Sequence, residues 1–139
     1  MTVITESFQV STQGFCDARD LTGRVLEAVK ASGLSAGIAT VFVSGSTAGV
    51  TTIEYESGVI EDLRKVIEEL VPEDREYQHN LRWQDGNGFA HVRAALLKPD
   101  LTVPFRDGAL LLGTWQQIVL LDFDNRPRSR KVLVQILRD

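Results

Sequence analysis

The sequence predicts a single domain that combines β-strands with amphipathic α-helices. Its 139 residues fall within the about 100–200 residues that one domain usually takes. With 43% hydrophobic and 24% charged residues, the composition is that of a globular protein that folds without disulfides or a structural metal. Short runs rich in β-branched residues alternate with segments whose apolar residues recur at helical spacing.

The first half of the chain begins with a predicted strand, a helix and two further strands. Polar and apolar residues alternate from Ser7 to Thr12, which is typical of a half-buried strand. From Asp20, apolar residues recur at helical spacing until Gly33, a residue that favours the end of a helix. Ile38 to Val43 and Val50 to Tyr55 predict buried strands.

The second helix has the clearest pattern in the chain. Its apolar residues fall on one face and are Val59, Ile60, Leu63, Val66, Ile67 and Leu70. Ser57 is the predicted cap, and Pro72 ends the helix.

The second half of the chain predicts mainly strands. Ala90 to Leu97 favours a helix, although periodicity alone also permits a strand. Leu110 to Leu112, Ile118 to Phe123 and Val132 to Ile136 predict three strands. Asp124 to Arg130 is predicted to join the last two as a hairpin.

Charge and cysteine content exclude several classes of function. The net charge of -4, from 15 basic and 19 acidic residues, argues against a general nucleic-acid binder. Cys16 is the only cysteine, so there is no intrachain disulfide and no four-cysteine zinc site. The first twenty residues lack the pattern of a signal peptide, and no apolar stretch approaches membrane-spanning length. We therefore expect a cytoplasmic protein with no membrane or nucleic-acid partner.

Both histidines of the chain lie in one short stretch. His79 and His91 are 12 positions apart, which is not the spacing that places two zinc ligands on one helical face. A shared site therefore requires the chain between them to turn back, and the glycines around Asp85 and Asn87 supply such a turn. The stretch predicts either a site for proton transfer or metal binding, or two ordinary histidines beside a glycine turn.

A glycine-flanked loop follows the strand that ends at Val43. Ser46 and Thr47 offer two hydroxyls there, and the backbone N–H groups can bind an anion. The loop lacks the lysine and the spacing of a P-loop. A tight connection between strands is the alternative interpretation.

Two carboxylates lie two positions apart near the next strand. Glu54 and Glu56 would share one face of a strand. They form a catalytic pair only if that face lines a pocket, and are solvated side chains otherwise.

The densest basic run contains Arg126, Arg128 and Arg130. The planar guanidinium group suits bidentate contacts with phosphate or carboxylate. A solvated hairpin tip is the alternative.

An aromatic residue stands beside two amides at Trp115, Gln116 and Gln117. This combination can stack on a heterocycle and hydrogen-bond to it. Packing of the tryptophan in a core or an interface is the favoured alternative.

Taken in order, five segments resemble the YjbQ-like family. They are Gly45 to Glu56, the stretch His79…Trp83-Gln-Asp-Gly-Asn-Gly-Phe-Ala-His91, Val103-Pro-Phe, Leu112-Gly-Thr-Trp-Gln116 and Asp122 to Arg130. The resemblance covers nearly the whole chain and keeps the order of the segments.

The resemblance implies an α+β fold, with a β-sandwich-like core of mixed or antiparallel strands and two or three helices packed on one side. It implies one YjbQ-like domain over residues 1–139, assembled as a homotrimer. Members are often labelled secondary thiamine-phosphate synthases, which implies a transferase acting on a phosphorylated or pyrophosphorylated small molecule at a pocket between subunits. Dedicated thiamine-phosphate synthases are TIM barrels of about 200 residues or more, so a common activity would be convergent. The alternative is a non-catalytic homotrimer that binds a metal ion or an anion.

The resemblance and the residue patterns above together assign roles to residues. The residues assigned to catalysis are His79, His91, Asn87 and Asp85. Those assigned to substrate or anion binding are Ser46, Thr47, Arg126, Arg128, Arg130, Trp115 and Gln116. His79, His91 and Glu54 are the expected ligands of a divalent metal ion, zinc or magnesium, since zinc accepts mixed nitrogen and oxygen ligands. Gly45 departs from the family, because many members carry a histidine there. The third histidine of such a site is therefore absent.

Overall fold

The structure is a computed structural model that describes all residues from 1 to 139. Eight strands form two antiparallel sheets that curl into a half-barrel, and four helices pack on one side. The predicted α+β class, with paired sheets and helices on one side, is confirmed.

The elements follow one another with short connections. In chain order they are β1 (Thr2–Thr12), β2 (Asp17–Asp20), α1 (Thr22–Ala31), β3 (Ala36–Ser44), β4 (Ala48–Ile53), α2 (Ser57–Leu70), α3 (Gln78–Trp83), α4 (Gly88–Leu97), β5 (Asp100–Arg106), β6 (Ala109–Leu110), β7 (Gln117–Asp122) and β8 (Arg128–Arg138). The five-stranded sheet has the order β1-β8-β3-β5-β6, and the three-stranded sheet has the order β2-β7-β4.

Strand β7 lies between two hydrophobic cores. Ile118 and Leu120 point into a cluster of 16 buried residues that includes the inner face of the five-stranded sheet and α1. Val119 and Leu121 point the other way, into a cluster of 11 buried residues that includes residues of α2 and α4. Because side chains alternate along a strand, burial on both faces requires the continuous apolar run seen in the sequence.

The predicted hairpin between the last two long strands is wrong. Strand β7 pairs with β2 and β4, whereas β8 pairs with β1 from Arg128 to Arg138 and also with β3. The two strands therefore belong to different sheets, and residues 123–127 cross from one sheet to the other. This crossing places Asp122, Asp124 and Arg130 together at one end of both sheets.

Other strands also differ from the prediction. Strand β5 was not predicted, although Val103 and Phe105 alternate with exposed residues, because Pro104 interrupts the run. The strand predicted for residues 110–112 shrinks to Ala109–Leu110. The strand predicted to reach Tyr55 begins earlier and ends at Ile53.

The helices α1, α2 and α4 are confirmed, and α3 is an additional one. Helix α3 has six residues and none of them is buried, so it lacks the apolar face that predicts a helix. The predicted cap of α2 is wrong by one position. Glu56, not Ser57, is the N-cap, and its carboxylate accepts hydrogen bonds from Gly58 N at 2.6 Å and Val59 N at 2.9 Å.

None of the helices is both long enough and apolar enough to cross a membrane.

Candidate functional site

The turn between α3 and α4 brings the two histidines together. His79 lies on α3 and His91 on α4. Gln84 and Gly86 adopt positive φ angles of 55° and 66°, which reverse the chain between the helices. As a result the ring centroids of the two histidines are 4.3 Å apart, with their planes tilted by 42°.

Asp85 fixes the orientation of His79. The Nε2 atom of His79 is 3.0 Å from Oδ2 of Asp85, and the other carboxylate oxygen accepts a hydrogen bond from Asn87 N at 3.1 Å. The hydrogen bond with His79, followed by that from Asn87 N, holds the pKa of the exposed Asp85 carboxyl below its ordinary value. Asp85 therefore stays ionised and acts on His79 as a fixed acceptor.

In contrast to His79, the ring of His91 has no hydrogen-bond partner. It is half-buried, and the hydrogen bonds of the site leave both of its ring nitrogens unpaired. Burial lowers the pKa of His91, and the nearby His79 lowers it further, while the carboxylates of Asp85 and Asp124 oppose this. His91 is therefore a neutral imidazole at neutral pH, able to accept a proton or to bind a ligand.

Asn87 connects the histidine turn to the crossing between the sheets. It is the buried N-cap residue of α4. Its Nδ2 atom donates to Oδ2 of Asp124 at 3.2 Å, and its Oδ1 atom accepts from Asn125 N at 3.1 Å. These bonds fix the start of α4, and hence His91, against the end of β7.

Asp124 is the centre of a buried polar network. Its Oδ2 atom accepts hydrogen bonds from Thr47 Oγ1 at 2.8 Å and from Asn87, and it forms an ion pair with Arg128 Nη2 at 3.0 Å. Burial raises the pKa of the Asp124 carboxyl, but the hydrogen bonds from Thr47, Arg128 and Asn87 outweigh burial and hold the pKa below its ordinary value. Asp124 is therefore a carboxylate in a site that excludes water.

Arg130 is largely neutralised by Asp122. Its Nε and Nη2 atoms donate to the two oxygens of Asp122 at 2.6 and 2.8 Å, and Nη2 also donates to Thr47 Oγ1 at 2.6 Å. Both charged residues are buried. Gly45 lies beside the third nitrogen, because a Cβ atom at that position would be 2.8 Å from Nη1 of Arg130. Gly45 also has a φ of +150°, which side chains disfavour.

Three of the predicted site residues lie elsewhere. Glu54 and Gln116 lie at the opposite end of β4 from Asp124, about 20 Å away along the sheet. This follows from the pairing of β4 with β7, in which Ala48 is opposite Asp122 and Ile53 is opposite Gln117. Trp115 is 72% exposed, so it does not pack in the core of the chain.

Ser46 and Arg126 lie closer to the network but outside it. Both are exposed: Ser46 precedes the buried Thr47, and Arg126 lies two positions from the buried Asp124 and from the half-buried Arg128. Neither side chain forms a hydrogen bond or ion pair within the chain. Both are free to meet a ligand.

The residues of one chain do not assemble the expected metal site. Glu54 is far from the histidines, and no group of three His, Cys, Asp or Glu residues has a geometry that could hold a metal ion. Zinc sites use three or more protein ligands. Any ion at His79 and His91 would need further ligands from solvent or another subunit.

Asp122 and Asp124 are the functional candidates that the sequence analysis missed. They end a buried strand and directly precede the arginine run. Two acidic residues at that position could have been recognised as partners of the arginines, because charged residues are rarely fully buried unless paired.

A family model described as UPF0047 protein YjbQ-like matches residues 6–139. The chain belongs to this family. The UPF0047 protein of Methanothermobacter thermautotrophicus is 35% identical over 136 residues, which cover 98% of this chain and 93% of the relative. The UPF0047 protein of Archaeoglobus fulgidus is 37% identical over 118 residues, which cover 85% of this chain and 89% of the relative.

Solved structures of other proteins have the same fold. A YbjQ-like protein of unknown function from Sulfolobus solfataricus P2 superposes with a TM-score of 0.93 at 36% identity, covering 99% of both chains. A hypothetical protein from Aeropyrum pernix K1 gives a TM-score of 0.90 at 33% identity, covering 98% of this chain and 99% of the other. The function of the family is uncharacterised, so the shared fold does not identify a reaction.

Proposed function

We propose that this protein is an enzyme that acts on a phosphorylated or pyrophosphorylated small molecule, with His91 acting on the departing group. One observation carries the proposal. The free, neutral imidazole of His91 lies against His79, which Asp85 orients, and Asn87 links their turn to the network of Asp124 and Arg128. A positioned imidazole beside an anion-binding group is the combination that phosphoryl or pyrophosphoryl substrates require.

The anion would be bound by the parts of the network that remain open. Arg128 is 35% exposed on its side chain, and Arg126 and Ser46 are exposed and unpaired. Arg130 is paired with Asp122, so it would not bind the anion itself. It would instead position Thr47 and the loop that carries Ser46. Orientation and charge stabilisation are then the main contributions of the protein.

Formation of thiamine phosphate is the first reaction to test, because the family resemblance implies it. The thiazole nitrogen would attack the methylene carbon of the pyrimidine pyrophosphate, forming a C–N bond as the C–O bond to pyrophosphate breaks. The arginines would stabilise the departing pyrophosphate. The attacking nitrogen carries no proton, so none is released, and the N–H group of the neutral His91 imidazole would donate a hydrogen bond to the departing pyrophosphate.

We further propose that the site is completed between subunits of a homotrimer. Glu54, Trp115 and Gln116 lie at the far end of β4, and Trp115 is 72% exposed. These residues would reach the site of a neighbouring subunit rather than their own. Light scattering is expected to give a mass three times that of the chain, and a monomer would contradict this part of the proposal.

Steady-state kinetics test the catalytic proposal. His91→Ala is expected to lower kcat/KM by about 100-fold or more, the usual contribution of a hydrogen-bond donor positioned at a developing charge. Asp107→Asn is the control, since Asp107 lies in an exposed turn with a φ of 53° that asparagine tolerates. Equal activity of wild type and His91→Ala would remove His91 from the mechanism.

A second candidate function is that of a non-catalytic homotrimer that binds a divalent metal ion or an anion. The observation in its favour is the approach of the two imidazoles to 4.3 Å between centroids. Calorimetry with zinc, magnesium and phosphate, on wild type and His91→Ala, separates the two functions. Tight binding that depends on His91, without turnover of any substrate, would favour the binding protein.

A further inference from the structure

Strand β1 is an unprotected edge of the five-stranded sheet. It pairs only with β8, and the pairing runs from Thr2 to Thr12 without a bulge. The strand contains no proline, lysine or arginine, and Glu6 is its only charged residue. Proteins usually protect an edge strand by keeping it short or by giving it a bulge, a proline or basic residues. A regular edge of 11 residues is instead a surface on which another strand can pair.

The free backbone groups of β1 belong to its odd-numbered residues. In the same sheet Val43 N donates to Pro99 O at 2.9 Å, so the odd residues of β3 face β5 and its even residues face β8. The registers then set the even residues of β8 against the even residues of β1. The residues whose N–H and C=O groups point out of the edge are therefore Val3, Thr5, Ser7, Gln9 and Ser11. None of the backbone hydrogen bonds outside the helices and strands involves them.

The inner face of β1 carries one unmatched charge among apolar residues. The residues that pack against the larger core are Ile4, Phe8 and Val10. Glu6 shares their face, because side chains alternate along a strand, and an inward-pointing charge opposes edge pairing unless it is matched. Arg24 of α1 lies over the ring of Phe8, 4.5 Å from its centroid, and forms no ion pair within the chain. Glu6, Phe8, Arg24 and the exposed Glu27 line a cavity of about 190 Å³ between β1 and α1.

We propose that β1 pairs with β1 of a second copy of this chain, antiparallel and centred on Ser7. Ser7 is the middle residue of the strand Thr2–Thr12, so this register lets the two strands overlap along their whole length. The odd residues of each strand then face those of the other, and about ten backbone hydrogen bonds form. This number is typical of a specific protein–protein interface.

The side chains that meet in this register are complementary. Ile4 lies opposite the partner's Val10, so the apolar inner face continues across the contact. Glu6 lies opposite the partner's Phe8, and directly opposite residues have Cβ atoms about 4.5–5.5 Å apart. Glu6 therefore comes within reach of the partner's Arg24, which lies on that ring. By symmetry two such ion pairs form.

Glu6 also determines the register. Pairing centred on Glu6 itself would keep the odd residues facing one another, but it would set the two Glu6 carboxylates directly opposite. Like charges in that position destabilise a strand pair. The register centred on Ser7 separates them and gives each carboxylate an arginine.

Sedimentation velocity over a concentration series, from micromolar to millimolar chain, tests the pairing. A contact one strand wide is at the small end of specific interfaces, so dilute protein is expected to remain unpaired. The mass of the sedimenting species is expected to double as the concentration rises, whether the dilute species is a single chain or the proposed trimer. A mass that stays constant up to the highest concentration overturns the inference and leaves the proposed function untouched.

A proline at Ser7 tests the part played by the backbone. Ser7→Pro removes a donor at the centre of the contact in both copies, while the pairing with β8 does not use that N–H group. It is expected to raise the dissociation constant at least about tenfold. Ser7→Thr keeps the donor and is the matched control, expected to stay within about threefold of wild type. Equal dissociation constants for the two folded variants overturn the inference.

An exchange of charges tests the register, and it does not depend on the folding of the proline variant. Glu6→Arg and Arg24→Glu each bring like charges together at two places in the pair, so each is expected to weaken association at least about tenfold. The double variant restores opposite charges and is expected to associate within about threefold of wild type. A double variant as weak as the single ones overturns the register.

Amide hydrogen exchange measured by NMR identifies the surface that pairs. The amides of Thr5, Ser7 and Gln9 are expected to exchange rapidly in dilute protein and at least about tenfold more slowly in concentrated protein. Those of Glu6 and Phe8 face β8 and are expected to exchange slowly at both concentrations. A doubled mass without protection of the odd residues places the contact elsewhere and overturns the inference.

Discussion

His79 and His91 lie side by side, yet their surroundings give them different chemistry. Asp85 holds the ring of His79, while the ring of His91 has no partner and is half-buried. The resulting downward shift of the pKa of His91 has a consequence for stability as well as for catalysis. The unfolded chain binds a proton at this residue at a higher pH than the folded protein does.

The free energy of unfolding is therefore expected to fall as the pH drops through the ordinary histidine value of 6.5 toward the lower folded pKa of His91. His91→Gln removes this part of the pH dependence, because glutamine does not titrate. Urea unfolding of both proteins between pH 8 and pH 5 measures the difference. A wild type and variant whose free energies change in parallel over this range would contradict the assignment.

Thr47 supports two charged residues with one hydroxyl. It donates to Asp124 and accepts from Arg130. Thr47→Val is expected to lower the free energy of unfolding by about 1–3 kcal/mol, because it leaves both partners short of a hydrogen bond. Ser46→Ala, at the exposed neighbouring position, is the matched control and should stay within about 0.5 kcal/mol. Denaturant titration that finds equal effects would show that the network tolerates the loss.

At the scale of residues, the sequence predicted the part of the site that is local. His79, Asp85, Asn87 and His91 meet because one turn joins two short helices. Asp124 meets Thr47 across 77 positions of sequence, and no spacing reveals such a contact. The arginines were therefore visible as a run, while their buried acidic partners were not.

Helix α2 shows how one residue sets the start of an element. Glu56→Ala is expected to lower the melting temperature more than Ser57→Ala, since the Glu56 carboxylate accepts hydrogen bonds from two of the free N–H groups at the start of the helix. These hydrogen bonds also lower the pKa of Glu56 below 4.5. The contribution of Glu56 is thus present above pH 4.5 and is lost as the pH falls through its folded pKa. Thermal melts at pH 7 and pH 3 measure it, and equal melts of the two variants would contradict the assignment.

The contact of α3 with α4 leaves no room at Gly88. A Cβ atom there would lie 2.5 Å from Cβ of Tyr77 and 3.0 Å from Oδ1 of Asn80. Gly88→Ala is expected to cost about 1–3 kcal/mol through overpacking and to separate the helices that carry the two histidines. Gly23→Ala, in α1 with no atom within 4 Å, is the control and should be neutral or slightly stabilising. Chemical denaturation measures the free energy of unfolding of both variants. A Gly88→Ala variant as stable as wild type would mean that α3 can move away without cost.

At the scale of elements, periodicity predicted the elements that bury one face or both. Helices α1 and α2 have such faces, and so has β7, whereas for α4 periodicity left helix and strand open. Periodicity does not predict which strands pair, because the short segment after β7 is compatible with a hairpin as well as with a crossing between sheets. The choice depends on β1 and β4, which lie far away in the sequence.

In the whole molecule, β7 connects two cores that would otherwise be separate. Leu120 and Leu121 are both fully buried, one in each cluster. Leu120→Ala and Leu121→Ala are each expected to cost about 2–5 kcal/mol. Both variants should still unfold in one transition, with coincident midpoints in near-UV and far-UV circular dichroism, because a single strand supports both cores. Two separated transitions would instead indicate two independent units, against the predicted single domain.

Gly45 sets a limit on how this protein can be redesigned. A histidine introduced there to complete a metal site would bring its Cβ atom to within 2.8 Å of Arg130 and would require a φ of +150°. The Nη1 end of the guanidinium group would have to shift, although Nε and Nη2 hold it against Asp122. An engineer who wants a three-histidine centre must therefore make room at the arginine before replacing the glycine.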